Sequence, residues 1–285
     1  MTAVEVRGLS WKYDGAQDFT LHDVNLEIAE SEFTLVVGPN EAGKTTLMLA
    51  IKGLIPHSFP GVLQGEVRLF GEPAQDKGAP VLAQEVGYVF GDPEAQFTAL
   101  TVEEEILFGL ENIGYPEEEI ARRIQWAAEL TMIDDLLDKP PYDISGGQKQ
   151  RVAIASVIAM EPRVLILDEP TSMIDPLGKD LIVRICAELK ERHGMTLIVV
   201  EHNVEAFAPL ADRVVLLDGG RIIRQGSPAE LFREVDFLLE HGVYPPQVTQ
   251  VFERLRVKGR YGGPPPLDDA AGIDAGLRLL QGTSR

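Results

Sequence analysis

Cysteine is almost missing from this chain: Cys186 is the only one in 285 residues. One thiol cannot close an internal disulfide, nor build a cysteine-based zinc site alone, so a reducing compartment is expected. Basic side chains are also scarce, 26 Lys+Arg against 45 Asp+Glu, for a formal charge of −19. A surface that holds nucleic acid needs dense Lys/Arg against the phosphates, and one that coats anionic lipid needs the same, so neither is expected as a direct partner. No apolar run approaches the roughly 18 residues that cross a bilayer. The longest, 164–167 and 196–200, are strand-sized, and direct membrane insertion is not expected. Residues 1–17 lack the basic and apolar regions of a secretory leader. The expectation is a cytoplasmic protein that meets a membrane only through a partner. There is no internal repeat.

What is present is a 45% apolar, 25% charged chain, enough for a substantial core. Its length suits one large domain with an appendage, or two modest ones. Residues 4–7 and 21–28 alternate as half-buried strands around a polar turn at Tyr13-Asp14-Gly15. Residues 33–37 (FTLVV) form an unbroken apolar run, which a strand buried on both faces of a parallel sheet requires. It leads into a glycine-containing loop and a helix over 44–53. Strands follow at 65–70 and 86–90. From 101 to 160 the period becomes helical: Thr101 and Glu104 make a capping box, Pro116 opens a first turn, and Ile120, Ile124 and Ala127 share a face. Phe108 and Trp126 are expected in the core of this segment. Strands at 164–167, 196–200 and 214–217, with a helix at 177–192, complete a parallel α/β pattern with a helical insert. Cys186 lies in that last helix and reads as a small buried apolar side chain. After Gly226, helices are expected at 228–232, 245–255 and 268–280, the last behind a Gly-Gly-Pro-Pro-Pro linker at 262–266.

The strongest motif is Gly38-Pro39-Asn40-Glu41-Ala42-Gly43-Lys44-Thr45, a complete G-x-x-x-x-G-K-[ST] between a strand and a helix. Backbone N–H groups of such a loop, aided by the helix N-terminus, make a concave site for nucleotide phosphates. Lys44 supplies a point charge to the β- and γ-phosphates, the Thr45 hydroxyl is placed for Mg²⁺, and Thr46 is counted with the phosphate-binding residues. A second motif, Val164-Leu165-Ile166-Leu167-Asp168-Glu169, ends a buried strand in two carboxylates at the sheet edge where open α/β folds bind ligands. Asp168 suits Mg²⁺, and Glu169 suits the general base toward an attacking water. A third, Ile144-Ser145-Gly146-Gly147-Gln148, places a hydroxyl and open backbone amides at a helix start.

At this point the sequence resembles the ATP-binding-cassette (ABC) ATPases, whose signature reads LSGGQ; Ile144 takes the first position here. The resemblance spans residues 4–226. It implies a P-loop NTPase fold with a RecA-like parallel sheet core, an N-terminal antiparallel β subdomain, a helical insert at about 98–160 and a small C-terminal helical extension at 227–285. It further implies Mg-ATP hydrolysis in a head-to-tail dimer, a homodimer or a heterodimer with a paralogous ATPase, that drives a transmembrane transporter subunit from the cytoplasmic face of the membrane. Tyr13 would stack on adenine; Ser145, Gly146, Gly147 and Gln148 would face ATP held by the opposite subunit. Ser172-Met173-Ile174-Asp175 matches the D-loop of the dimer interface, and His202 the switch histidine of the γ-phosphate and water. Residues 86–97 and the C-terminal extension resemble the energy-coupling-factor (ECF) importers of vitamins, cobalt and nickel, the extension resembling that group's dimer-stabilising tail. An ATPase of another transporter class and a slowly hydrolysing regulatory subunit share the same cassette.

Two positions depart from the family. Gly91 stands where a glutamine is expected to touch Mg²⁺ and water, leaving Asp92, Gln96 or an extra water to substitute and implying slower or differently coupled hydrolysis. Glu41 replaces a small residue of the phosphate loop, which is tolerable if its carboxylate points outward.

Overall fold

The computed structural model describes residues 1–172 and 174–282. The chain begins with two long antiparallel strands, β1 (Thr2–Tyr13) and β2 (Leu21–Ala29). The buried run then forms β3 (Phe33–Val37), followed by the phosphate loop and α1 (Lys44–Ile51). Next come β4 (Gly61–Leu69), β5 (Glu72–Pro73), α2 (Ala79–Glu85) and β6 (Val86–Val89). The helical insert consists of α3 (Val102–Ile113), α4 (Glu117–Thr131) and α5 (Gly146–Ile158). The chain then returns through β7 (Val164–Asp168), α6 (Pro176–His193), β8 (Thr196–Val200), β9 (Arg213–Asp218) and β10 (Arg221–Gly226). Four helices end it: α7 (Pro228–Leu231), α8 (Val235–Glu240), α9 (Gln247–Val257) and α10 (Asp269–Gly282).

Two sheets organise these elements. The order β2-β1-β4-β5 is antiparallel throughout, and β10-β9-β3-β8-β7-β6 is parallel except at the β10 edge. Every residue of β3, β7 and β8 is buried. Apolar side chains on both faces explain why these strands read as unbroken runs. Leu35, Leu167 and Leu197 face a core shared with the helical insert, while Val36, Ile166 and Ile198 face a core shared with α1 and the antiparallel sheet. The parallel sheet is thus clamped between two cores, and its C-terminal edge is held rigidly beneath the loops that follow β3, β7 and β8.

The capping box expected at Thr101 and Glu104 is formed at the start of α3, and Ser145 with Gln148 and Ser227 with Glu230 form two more. Cys186 is fully buried, and burial pushes its thiol up to about 12. Phe108 departs from its expected place: it is 57% exposed. The buried face of α3 runs through Val102, Glu105, Ile106 and Leu110, and a residue two positions past Ile106 points about 200° around the helix. Trp126 is half-buried, its ring edge-on to His193 at 5.3 Å. The unexpected β10 arises from a hairpin: Gly219 and Gly220 both have positive φ, 52° and 72°, the conformation of a two-residue turn whose twist matches paired strands.

Candidate functional site

The phosphate loop is held by glycines at its two ends. Gly38 has φ 150°, and a Cβ there would sit 1.9 Å from the Leu217 carbonyl oxygen; at Gly43, φ 96°, it would meet the Thr20 carbonyl at 3.0 Å. Only glycine lets the loop press this closely on the β9–β10 turn and the β1–β2 connection. The Gly220 N–H donates to Ala42 O at 3.1 Å and pins the loop from the side. Asn40 to Thr46 line a cavity together with Phe19, Thr20, His22, Glu169, Gly219 and Gly220. Lys44 is buried, and its ammonium donates to Gly38 O (3.0 Å) and Pro39 O (2.8 Å). Burial lowers its pKa, opposed by the charges of Glu169 and Asp168. Glu41 has φ 62° and is exposed at the rim of this cavity.

Tyr13 ends β1 half-buried. Its ring is edge-on to Trp11 at 5.5 Å, and its hydroxyl pairs with Thr46 Oγ1 at 3.2 Å. It therefore stands beside the phosphate-loop helix, while Phe19 is the aromatic side chain lining the cavity itself.

Asp168 and Glu169 emerge together from β7 but in different environments. Asp168 is buried; its Oδ2 accepts a 2.7 Å hydrogen bond from the Tyr88 hydroxyl, while Oδ1 is buried without a hydrogen-bond partner. Burial raises its pKa, with Tyr88 and Thr45 pulling the other way. The Tyr88 phenol is itself pushed up by burial and by Asp168, so it stays a donor. An acceptor oxygen left free in the interior beside Thr45 fits a hard cation with oxygen ligands. Glu169 adopts a left-handed conformation, φ 52°, with its N–H held by Val200 O at 2.9 Å. That turn aims its half-exposed carboxylate back at the cavity, where Oε1 lies 3.1 Å from His202 Nε2. The strained backbone of a non-glycine residue here is compatible with a functional demand on its direction.

Gly91 lies on a second cavity shared with Thr45, Asp92, Glu94, Asp168, Glu169 and Ser172. Of the expected substitutes for a glutamine, Gln96 is excluded by its bonding. Its amide oxygen accepts from Phe90 N and its nitrogen donates to Ala153 O, each at 3.3 Å, which turns it toward α5. Asp92 lines the cavity while capping its own turn through Glu94 N at 3.0 Å.

Ser145 caps α5 reciprocally with Gln148: Gln148 N donates to Ser145 Oγ at 3.4 Å, and Ser145 N to Gln148 Oε1 at 2.8 Å. Ser145 and Gly146 are exposed, Gly147 is partly so, and none of the three lines either cavity. Asp175 caps α6 through Gly178 N at 2.9 Å; Met173 of the same motif lies outside the described residues.

Two residues of the site escaped the sequence reading. Tyr88 was legible in principle, since a phenol within a fully buried strand needs an acceptor. Glu201, 3% exposed, follows the apolar strand β8 as Glu169 follows β7, and that parallel was the available signal.

The family model described as "ABC transporter" matches residues 21–172. The chain is 41% identical to a putative ABC transporter ATP-binding protein of Pyrococcus abyssi, over 91% of this chain and 92% of that one. It is 40% identical to the energy-coupling factor transporter ATP-binding protein EcfA2 of Clostridium perfringens, over 85% of each chain. Among solved structures, cbiO1 of Clostridium perfringens, part of the ABC transporter complex cbiONQ, superposes with a TM-score of 0.73 at 34% identity, over 84% of this chain and 94% of that one.

Proposed function

The chain belongs to the ABC transporter family and is an ATP-binding ATPase of it, and from that premise we propose that it powers an importer of the energy-coupling-factor type. The observation that carries the catalytic part is the 3.1 Å contact between His202 and Glu169, a residue that lines the phosphate-loop cavity. Glu169 accepts a proton from the attacking water, and His202 holds the other side of that carboxylate so that it faces the γ-phosphate. Lys44, released from the Gly38 and Pro39 carbonyls, and the loop amides stabilise the charge that develops on the transferred phosphoryl group. Asp168 and Thr45 would hold Mg²⁺, which supplies neutralising charge on the phosphates. Tyr13 would stack on adenine from its place beside Thr46.

Ser145, Gly146, Gly147 and Gln148 line neither cavity of their own chain. This supports their use on ATP held by a second subunit, with Asp175 at the same junction. Binding of ATP closes that dimer and loss of the γ-phosphate loosens it. Among the described residues no helix is long and apolar enough to cross a membrane, so transport is assigned to a transmembrane partner at whose cytoplasmic face this subunit docks. The resemblance of residues 86–97 to the energy-coupling-factor importers assigns a vitamin or a transition-metal ion such as cobalt or nickel as solute, and the C-terminal extension is assigned to stabilising the dimer. Gly91 favours a second reading, a slowly hydrolysing member of a heterodimer.

Purified protein should hydrolyse Mg-ATP, and Glu169→Gln should abolish turnover while keeping ATP binding. Undiminished turnover in that variant would remove Glu169 from the role of base. Copurification with membrane proteins tests the transport assignment.

A further inference from the structure

We propose that Glu201 is a positioning residue that sets the distance between Glu169 and His202. The proposal rests on ATP hydrolysis at the phosphate-loop site and assigns it a residue not otherwise given a role. Glu201 is 3% exposed, and no Lys or Arg pairs with it among the described residues. Its carboxylate instead receives donors from two loops. Oε1 accepts from Thr171 N at 3.1 Å and from the Thr171 hydroxyl, while Oε2 accepts from His202 N at 2.9 Å and Asn203 N at 3.4 Å. The Glu201 N–H donates to Val36 O at 3.2 Å, which fixes the residue to the strand that feeds the phosphate loop.

These bonds close a ring. From Glu169 the chain runs through Pro170 to Thr171, crosses to the Glu201 carboxylate, continues to His202, and returns through Nε2 to Glu169 Oε1 at 3.1 Å. A carboxylate is acceptor-only and can serve donors on both sides at once. An amide cannot: Glu201→Gln must turn an N–H toward one of the two loops, and one side of the ring opens. A buried carboxylate without a cation is costly to keep, so its retention here fits a demand for this double acceptor.

The test is steady-state ATPase of the full chain. Glu201→Gln is expected to lower kcat on the order of 10- to 100-fold, the scale of a misplaced catalytic group, with KM for ATP within about twofold of wild type. In a His202→Ala background the same substitution should cost little more, because its effect passes through that ring. Thr171→Val, which removes only the hydroxyl donor, should give a smaller fall in kcat and serves if Glu201→Gln folds poorly. The imidazole nitrogen resonances of His202 report the contact without turnover and should shift in either variant. An unchanged kcat and unchanged His202 resonances, or fully additive losses with His202→Ala, would overturn the proposal. Wild-type turnover that is lost in Glu169→Gln checks the underlying site separately.

Discussion

The Tyr88 hydroxyl donates to Asp168 Oδ2 over 2.7 Å, and the other oxygen of that carboxylate is buried with no partner. One oxygen is thus satisfied by the protein and the other is kept for something else. Tyr88→Phe would take that donor away from a buried carboxylate. The loss of a donor to a buried group costs about 1–3 kcal/mol, or a fall of roughly 2–10 °C in Tm for a domain of this size. Calorimetry with and without Mg-ATP checks it: the deficit should shrink when the site is filled. A variant as stable as wild type in both states would show that water replaces the phenol.

Gly91 cannot simply be restored to glutamine. A Cβ at this position would lie 2.9 Å from the Asp168 carbonyl oxygen, so either the turn after β6 or the end of β7, which carries both carboxylates, must shift. Gly91→Gln should therefore reduce ATPase activity severalfold rather than raise it. A gain in rate would mean that the backbone yields and that the missing amide was what limited hydrolysis.

Glu41 has φ 62° without being glycine. Glu41→Gly should relieve about 1 kcal/mol of left-handed strain, partly offset by the greater freedom of glycine in the unfolded chain. It should also tighten ATP modestly by removing a negative charge from the loop, an effect that fades as salt screens it. Titration of ATP at low and high ionic strength reads both: equal affinities for wild type and variant at low salt would place the carboxylate too far out to matter.

Lys52 gives the pH dependence a definite sign. Its ammonium is turned inward onto Leu82 O and Val86 O, and burial lowers its pKa to about 8. Below pH 8 it is charged in both folded and unfolded states, and the burial penalty is present in full. Between pH 8 and 10.5 the unfolded chain holds more protons, so stability rises with pH, by up to about 3 kcal/mol in total. Lys52→Met should lack that rise. Urea denaturation of both proteins at pH 7 and pH 10 isolates it, since other groups cancel; a constant difference between them would reject the assignment.

Local order was readable wherever neighbours in sequence are neighbours in space. The Gly38–Thr45 loop, the capping box at Thr101, the helix start at Ser145, and the all-buried strands β3, β7 and β8 depend on short-range geometry or on periodicity, and each formed where its pattern stood. Phe108 was misplaced because one apolar residue does not declare which helix face is covered, and β10 was missed because its edge strand barely alternates.

The sequence by itself determined that this is an α/β chain with a phosphate loop, two carboxylates at a strand end and a serine-glycine helix start, because backbone hydrogen bonding and hydrophobic periodicity act over a few residues. It did not determine which side chains meet. Glu169 and His202 are 33 positions apart and Tyr88 and Asp168 are 80 apart. Parallel pairing of β6, β7 and β8 brings their ends to one edge. Only there, with Asp168 buried and Glu201 tied between two loops, do ordinary carboxylates become unequal: one buried with an unpartnered oxygen, one half-exposed beside His202, and one buried between two sets of donors.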